Sequence, residues 1–303
     1  MTDRRFDGRV AVITGSGRGL GRAYAELLGG LGAKVVVNDI GAALAGEGVD
    51  AGPAEEVAAA IRAAGGEAVA CTDSVATPEG GKAIIDAALD SFGKIDILIH
   101  NAGNVRYGEL ASISYEDFKS VVDVHLMGAF NVVRLAFPKM CDAGYGRVVL
   151  TGSIGGLYST NAVVNYAVSK SGMIGLNNII AIEGGDKNVK SNIILPGAVT
   201  RMAEGLDISQ YPPMGPELVS PVVGYLAHES CEVSGEMYIS MAGRVARAFI
   251  AETEGAFRAS WTIDEVAEDL PAIRDMDRQW TFHPAEGGYF EHMTRSFEMA
   301  RKG

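Results

Sequence analysis

Seven short runs rich in β-branched residues, RVAVIT, KVVVND, EAVACT, IDILIH, RVVLTG, SNIILP and EMYIS, recur through the first 240 residues of the chain, with alanine- and leucine-rich segments between them. Parallel strands need a long crossover, normally a helix, so this alternation restricts the chain to βα units wound around one sheet. Helices are predicted over residues 21–30, 53–64, 78–92, 115–140, 166–182 and 221–228. The expected fold class is α/β: a Rossmann-like, doubly wound, seven-stranded parallel sheet with helices on both faces. Three segments break the rhythm, namely glycine-rich GAALAGEGVDAG, proline-broken RMAEGLDISQYPPMGPEL, and a tail from about Val245 onward. Residues 1–244 are read as the sheet domain and 245–303 as a C-terminal extension. The extension holds Trp261, Trp280, Phe282 and Tyr289, too aromatic for a disordered linker, and is expected to pack on the same domain or on a neighbouring subunit.

Composition narrows the partners. With 26 Lys and Arg against 38 Asp and Glu among 303 residues, the formal charge is −12, which argues against a polyphosphate backbone, so no nucleic-acid partner is expected. Cys71, Cys141 and Cys231 are odd in number and widely spaced, giving neither a disulfide framework nor a metal knuckle. His228, Glu229 and Cys231 follow a helix and read as its cap. No metal is expected. MTDRRFDGRV lacks the apolar stretch of a signal peptide and no run of about 18 apolar residues follows, so no membrane partner and a cytoplasmic setting are expected.

VAVITGSGRGLGRAYAELL reads as a strand, a glycine turn and a helix start, the arrangement that presents backbone N–H groups and a helix dipole to a pyrophosphate. Its glycines are spaced Gly15-xxx-Gly19-x-Gly21, and no window reads GxGxxG, so the turn alone leaves phosphate cradle and tight connection both open. Asp39 ends the second strand 24 residues past Gly15, near the distance of a ribose-binding carboxylate, though a turn with Gly41 is an equal reading of that residue by itself. A carboxylate there repels a 2′-phosphate and Arg18 attracts one; NAD is expected over NADP, because the carboxylate must be neutralised before a phosphate can bind.

Ser153 precedes Tyr166 by thirteen residues, and Lys170 follows Tyr166 by four, which places Tyr and Lys on one helix face. A charged lysine beside a phenol is expected to lower its pKa from about 10 toward the working range and make Tyr166 an acid–base group, with Ser153 bonding the substrate oxygen.

TGSGRGLG at 14–21, NAG at 101–103, Ser153, YAVSK at 166–170 and PGAVT at 196–200 together resemble the short-chain dehydrogenase/reductase superfamily over roughly residues 8–243. The resemblance implies hydride transfer between a nicotinamide and an alcohol or ketone. It further implies that Gly15, Arg18, Gly19, Leu20 and Gly21 form the pyrophosphate turn, that Asp39 holds the adenosine ribose, and that Asp73 with Ser74 faces the adenine. Asn101 and Gly103 would border the cofactor, Tyr166 and Lys170 would meet the nicotinamide ribose, and Pro196, Gly197, Val199 and Thr200 would hold the carboxamide. RFDGRVAVITGSGRGLGRAYA, VVVNDIG, VHLMGAF, NYAVSKSGMIGL and LAHESCE are similar, more narrowly, to the (3R)-hydroxyacyl-CoA dehydrogenase domains of the peroxisomal multifunctional enzymes, the branch that includes 17β-hydroxysteroid dehydrogenase type 4, and to their free-standing bacterial counterparts. The implied substrate is an acyl-CoA or a steroid. Rival readings are an NADPH-dependent reductase of small ketones and a non-catalytic NAD sensor or scaffold.

His125 lies in the mostly apolar stretch VVDVHLMGAF, where a lone histidine is normally a buried, satisfied ring. The superfamily resemblance places there a residue, usually asparagine, whose backbone holds a water of the proton relay. His125 is therefore read as a catalytic-site positioning residue and not the general base. His100, at a strand end, reads as packing. Met127, Met173, Met202 and Met214 are open between core filling and an adaptable pocket. The apolar segments LMGAFNVVRLAF and GMIGLNNIIAI predict a homodimer or homotetramer.

Overall fold

The computed structural model describes residues 4–200 and 210–302 and divides them into two compact units, 1–247 and 248–303. The first unit runs β1 (Val10–Thr14), α1 (Gly19–Gly30), β2 (Lys34–Asn38), α2 (Gly52–Ala63), β3 (Glu67–Cys71), α3 (Pro78–Phe92) and β4 (Ile97–His100). It continues with α4 (Tyr115–Val122), α5 (Gly128–Ala143), β5 (Gly146–Thr151), α6 (Val164–Gly184), β6 (Val189–Gly197), α7 (Ser220–Ala227), β7 (Glu236–Met241) and β8 (Arg244–Ala248). The sheet order is β3-β2-β1-β4-β5-β6-β7-β8, and every pair from β3 to β7 is parallel.

All five residues of β1 and all four of β4 are buried. A strand with one covered face would alternate; unbroken burial follows from helices on both sides. On one face Ala11, Ile13, Val35, Val37, Ile97 and Ile99 form a core with Tyr24 and Leu28 of α1, Val57 and Ile61 of α2, and Val223 of α7. The pleat turns Val12, Val36, Leu98 and Val148 to the other face, where α3, α5 and α6 supply Ile84, Ile85, Val132, Met173 and Ile180. Each such fully buried aliphatic side chain contributes roughly 1.5–3 kcal/mol.

The seven predicted strands form the parallel sheet, and an eighth is added to it. Ala242 and Gly243, with φ of 49° and 79°, make the two-residue turn of a hairpin, so β8 returns antiparallel along β7. Its sequence, RVARA, is charged and largely exposed, and without a buried face it carries no hydrophobic signal.

The predicted helix over 115–140 extends to Ala143, and a π turn at Asp123–Met127 separates α4 from α5, the N–H of Gly128 reaching back five residues to the carbonyl of Asp123. By length and composition this span could cross a membrane, but Val121, Val132, Ala136 and Met140 are buried and α5 packs on α3 and β5. Met173 fills the core, Met127 is exposed, and Met202 lies outside the described residues.

The second unit contains β9 (Ala251–Thr253), α8 (Ile263–Ile273), β10 (Gln279–Thr281) and α9 (Gly288–Lys302). β9 and β10 pair antiparallel. Thr262 and Glu265 form a capping box at the start of α8, and Arg295 lies over the rings of Trp280 and Phe282.

Candidate active site

The connections leaving β1 and β4 run to opposite faces of the sheet, and the crevice between their carboxyl ends is where doubly wound proteins bind ligands. Arg18, at the N-cap of α1, makes no side-chain capping bond, so the first turn, Gly19, Leu20 and Gly21, presents its N–H groups at the helix's positive end. A Cβ on Gly21 would stand 2.2 Å from the carbonyl oxygen of Gly15, and one on Gly15, at φ 63°, would stand 2.6 Å from Ala102 Cα. The turn is thus pressed against the NAG loop, and Asn101 ties it there by donating from Nδ2 to Gly15 O at 2.9 Å. Among the described residues Gly19, at φ 54°, faces the Thr200 side chain, 3.4 Å from a Cβ position. Bare backbone on that side, with an uncapped helix end behind it, fits the pyrophosphate of a dinucleotide.

Asp39 is held by two backbone donors, Gly17 N to Oδ2 at 2.9 Å and Gly41 N to Oδ1 at 2.7 Å. The bond to Gly41 N realises the turn reading of Asp39, and the bond from Gly17 N sets the same carboxylate beside the glycine turn. Arg18 directs Nη1 to Ala42 O. The exposed Asp73 accepts from the Cys71 thiol at Oδ2, its carbonyl accepts from Asn38 Nδ2, and Ser74 Oγ accepts from Ala76 N.

On the other side of the crevice Ser153 leaves β5 in an extended conformation and opens a short turn packed tightly on α6, where a Cβ on Gly156 would meet Lys170 at 2.8 Å. Its Oγ accepts from Gly155 N at 3.0 Å, and the Ser153 hydroxyl is close enough to the Tyr166 phenol to draw its pKa down. Asn165, fully buried, accepts from Tyr166 N and donates to the carbonyls of Arg106 and Asp117, which fixes the first turn of α6. Lys170, one turn further on, is buried, donates to Thr151 O at 2.6 Å and lies 5.6 Å from the centre of the Tyr166 ring.

The expected lowering of the phenol by Lys170 is not what these surroundings produce. Burial pushes the Tyr166 phenol above its ordinary value, the Ser153 hydrogen bond draws it back in part, and nearby Tyr107 raises it further. Burial also brings Lys170 down to about 7. In a low-dielectric site each charged form is penalised by its own desolvation, and a lysine without a carboxylate partner sheds charge before it can stabilise a phenolate.

His125 sits in the π turn, 2% exposed, with its ring edge-on to Tyr166 at a centroid distance of 5.3 Å. Its Nε2 lies 2.8 Å from Asn104 O, while Nδ1 is buried without a hydrogen-bond partner among the described residues. A Cβ on Gly103 would collide with the imidazole, which explains glycine there. The carbonyl of His125, assigned to a water by the resemblance, lies 3.0 Å from His100 Nε2.

The chain matches the short chain dehydrogenase family over residues 9–208. It belongs to that family. It is 46% identical over 281 residues to the peroxisomal multifunctional enzyme type 2 of Drosophila melanogaster, an alignment covering 90% of this chain and 46% of that one. The solved full-length structure of that enzyme superposes with a TM-score of 0.82 at 38% identity, covering 98% of this chain and 50% of the other. The chain therefore spans about half the length of this relative. A short-chain type dehydrogenase/reductase of Mycobacterium tuberculosis is 41% identical over 274 residues, covering 88% of this chain and 94% of that one. As a short-chain dehydrogenase the protein is an oxidoreductase acting on CH–OH groups with a nicotinamide dinucleotide.

Within this dehydrogenase the remaining residues singled out from sequence are placed as follows. Pro196 and Gly197 end β6, a Cβ on Gly197 would strike Met241, and Val199 N donates to Met214 O at 2.6 Å, which fixes the loop leading to Thr200. His228 is the C-cap of α7, bonded through Nδ1 to Ser230, and among the described residues no three His, Cys, Asp or Glu side chains form a metal-sized group. Sequence reasoning missed three contributors: Asn165, Arg106 and Gly17, the last packed against Asp39 so that a Cβ would meet its Cγ at 3.0 Å. Asn165 directly precedes the tyrosine and Gly17 lies between the named glycines, so both were within reach of the motifs; Arg106 carries no such signal.

Proposed function

We propose that the protein is an NAD-dependent dehydrogenase of (3R)-3-hydroxyacyl-CoA thioesters, forming the 3-keto product. The observation that carries the chemistry is the Tyr166 phenol, its pKa lowered by the Ser153 hydroxyl and raised by burial, with the Lys170 Nζ 5.6 Å from the centre of its ring. Relatives that include a peroxisomal multifunctional enzyme support the acyl-CoA substrate class. Support for NAD comes from Asp39, whose oxygens are already oriented by two N–H groups; a 2′-phosphate at that ribose would face a fixed negative charge.

NAD would be held by the α1 N-terminus at its pyrophosphate, by Asp39 at the adenosine ribose, by Asp73 and Ser74 beside the adenine, and by Tyr166, Lys170 and the 196–200 segment at the nicotinamide end. When bound, the nicotinamide supplies the hydride acceptor. In oxidation Tyr166 must first lose its own proton and then, as the phenolate, takes the substrate hydroxyl proton; in reduction the phenol donates it, and the elevated phenol pKa favours that proton-donating form at neutral pH. Ser153 steadies the reacting oxygen, and Lys170, near half protonation at pH 7, exchanges the proton onward.

The protein is further proposed to assemble as a homodimer or homotetramer through Met127 of the π turn, Phe130 of α5 and Val168, Ile179 and Ile182 of α6, all exposed apolar side chains. The C-terminal unit, none of whose apolar side chains is buried among the described residues, is proposed to pack on a neighbouring subunit.

The test is absorbance at the nicotinamide band with (3R)- and (3S)-3-hydroxyacyl-CoA, a steroid panel and small alcohols, each with NAD and NADP. Oxidation of the (3R)-thioesters with NAD is expected. Turnover of only steroids or small alcohols, or only with NADP, overturns the substrate or cofactor assignment respectively.

A further inference from the structure

The end of β1 and the π turn are joined through a buried histidine that the chemistry above does not use. Thr14 Oγ1 accepts from the backbone N–H of Asn101 and of Ala102, both at 3.1 Å. With both acceptor positions filled, its own proton goes to the remaining neighbour, His100 Nδ1, at 3.1 Å. That bond fixes the imidazole as its Nε2–H tautomer, so Nε2 donates to His125 O at 3.0 Å. Thr14 and His100 are fully buried and His125 nearly so.

The carbonyl that receives this bond lies in the π turn, where the ladder of the 115–143 helix is displaced. On the same residue hangs the ring that stands edge-on to Tyr166. A shift or rotation of the turn therefore moves the wall against which the phenol is set.

We propose that His100 is a positioning residue for the reaction: through its Nε2–H it holds the carbonyl of His125, and with it the π turn and the imidazole that orients Tyr166. The proposal rests on the reading of Tyr166 as the proton-transfer group. It gives His100 a use beyond packing, since leucine would fill similar space but could not hold the carbonyl. His100 does not carry the reacting proton. The groups facing it are Thr14, the His125 carbonyl and the Lys170 ammonium, and burial together with that ammonium keeps the ring neutral, its pKa brought down to about 3. Tyr166 in turn is faced by Ser153, Lys170, Tyr107 and the His125 ring.

Two experiments test this. The first is the nitrogen-15 histidine spectrum of the wild-type protein, which needs neither a substrate nor a variant and so stands apart from the acyl-CoA assignment. Neutral His100 protonated at Nε2 from pH 5 to pH 9 is expected; an Nδ1–H tautomer or a charged ring overturns the proposal. The second compares His100→Leu and His100→Gln with wild type on whichever alcohol the enzyme turns over. Glutamine places an amide N–H near the position of Nε2. His100→Leu should lower kcat about tenfold or more with KM and NADH affinity within about twofold, and His100→Gln should recover most of the loss. The pH limb belonging to Tyr166 should move down toward the ordinary phenol value in the leucine variant, because a slack turn lets water reach the ring and removes part of the burial that raises it. A role in folding alone would change the active fraction but not this limb. Unchanged kcat in His100→Leu, no recovery in His100→Gln, or an unmoved limb overturns the proposal. Should His100→Leu fail to fold, His100→Asn takes its place, its shorter amide unable to reach the carbonyl, with the same expected losses.

Discussion

On the β1–β3 side of the crevice the working groups are backbone amides exposed by glycine, whereas on the β4–β6 side they are buried side chains that bond one another. Gly15, Gly19 and Gly21 contribute by lacking a Cβ, and even Asp39 is oriented by two N–H groups. Across the crevice Ser153, Tyr166, Lys170, His125 and His100 are set by side-chain bonds, ring packing and a π turn. Backbone recognises a cofactor at little desolvation cost, because N–H groups at a helix end carry only partial charge. Proton transfer needs ionisable groups, and burying them shifts their pKa values and strains stability. Binding and chemistry are therefore expected to respond separately to substitution.

On the backbone side, that division is tested first by Gly21→Ala. Its Cβ would stand 2.2 Å from a backbone oxygen that cannot swing away, so the turn must open. We expect NADH binding, read by fluorescence, to weaken at least tenfold, equivalent to about 1.4 kcal/mol, and stability to fall by about 1–3 kcal/mol. Unchanged nucleotide affinity would break the comparison on the glycine side. Asp39→Ala should come next: loss of a charge-assisted hydrogen bond to the ribose, roughly 1.5–3 kcal/mol, should lower the NAD-over-NADP preference in kcat/KM about ten- to hundredfold, with the residual activity on NADP no worse than in wild type. A preference that stays put would assign cofactor choice to Arg18 instead.

Lys170→Met sharpens the other side. It should abolish turnover yet stabilise the fold by about 1–2 kcal/mol at pH 6, because a buried ammonium without a carboxylate is replaced by an apolar chain. The sign follows from Lys170 falling from 10.5 to about 7 on folding. Below pH 7 both states hold the proton and the penalty is complete. Between 7 and 10.5 the unfolded state holds more protons, so wild-type stability rises with pH, and the variant's advantage should shrink toward nothing above 10.5. Denaturant melts across pH 6–10 check this; an advantage independent of pH contradicts it. The smallest effect belongs to His125→Asn, which should retain activity within about fivefold and keep the pH profile governed by Tyr166; a loss as large as that of removing the phenol would make the imidazole itself the proton carrier.

This same division explains what could be read from the residues alone. The parallel strands were legible because helices cover both faces and force unbroken apolar runs, while β8, exposed at the sheet edge, leaves no such run. Tyr166 and Lys170 were legible as a pair because a helix turn converts spacing into adjacency. The pKa of Tyr166 was not, since it depends on burial, which a spacing of four residues does not reveal. Nor was the bond from His100 to the carbonyl of His125, which spans 25 residues and depends on a π turn that no local propensity announces. Asp39 could be read for charge but not for orientation, because Gly17 and Gly41 act on it through backbone alone.

The separation of binding from chemistry is tested most directly by Tyr166→Phe, measured for turnover and for NADH affinity on the same preparation. The account predicts a fall in kcat of about 10²–10⁴-fold with the NADH dissociation constant unchanged within about twofold. Near-normal turnover, or a loss of nucleotide affinity as large as the loss of rate, would contradict it.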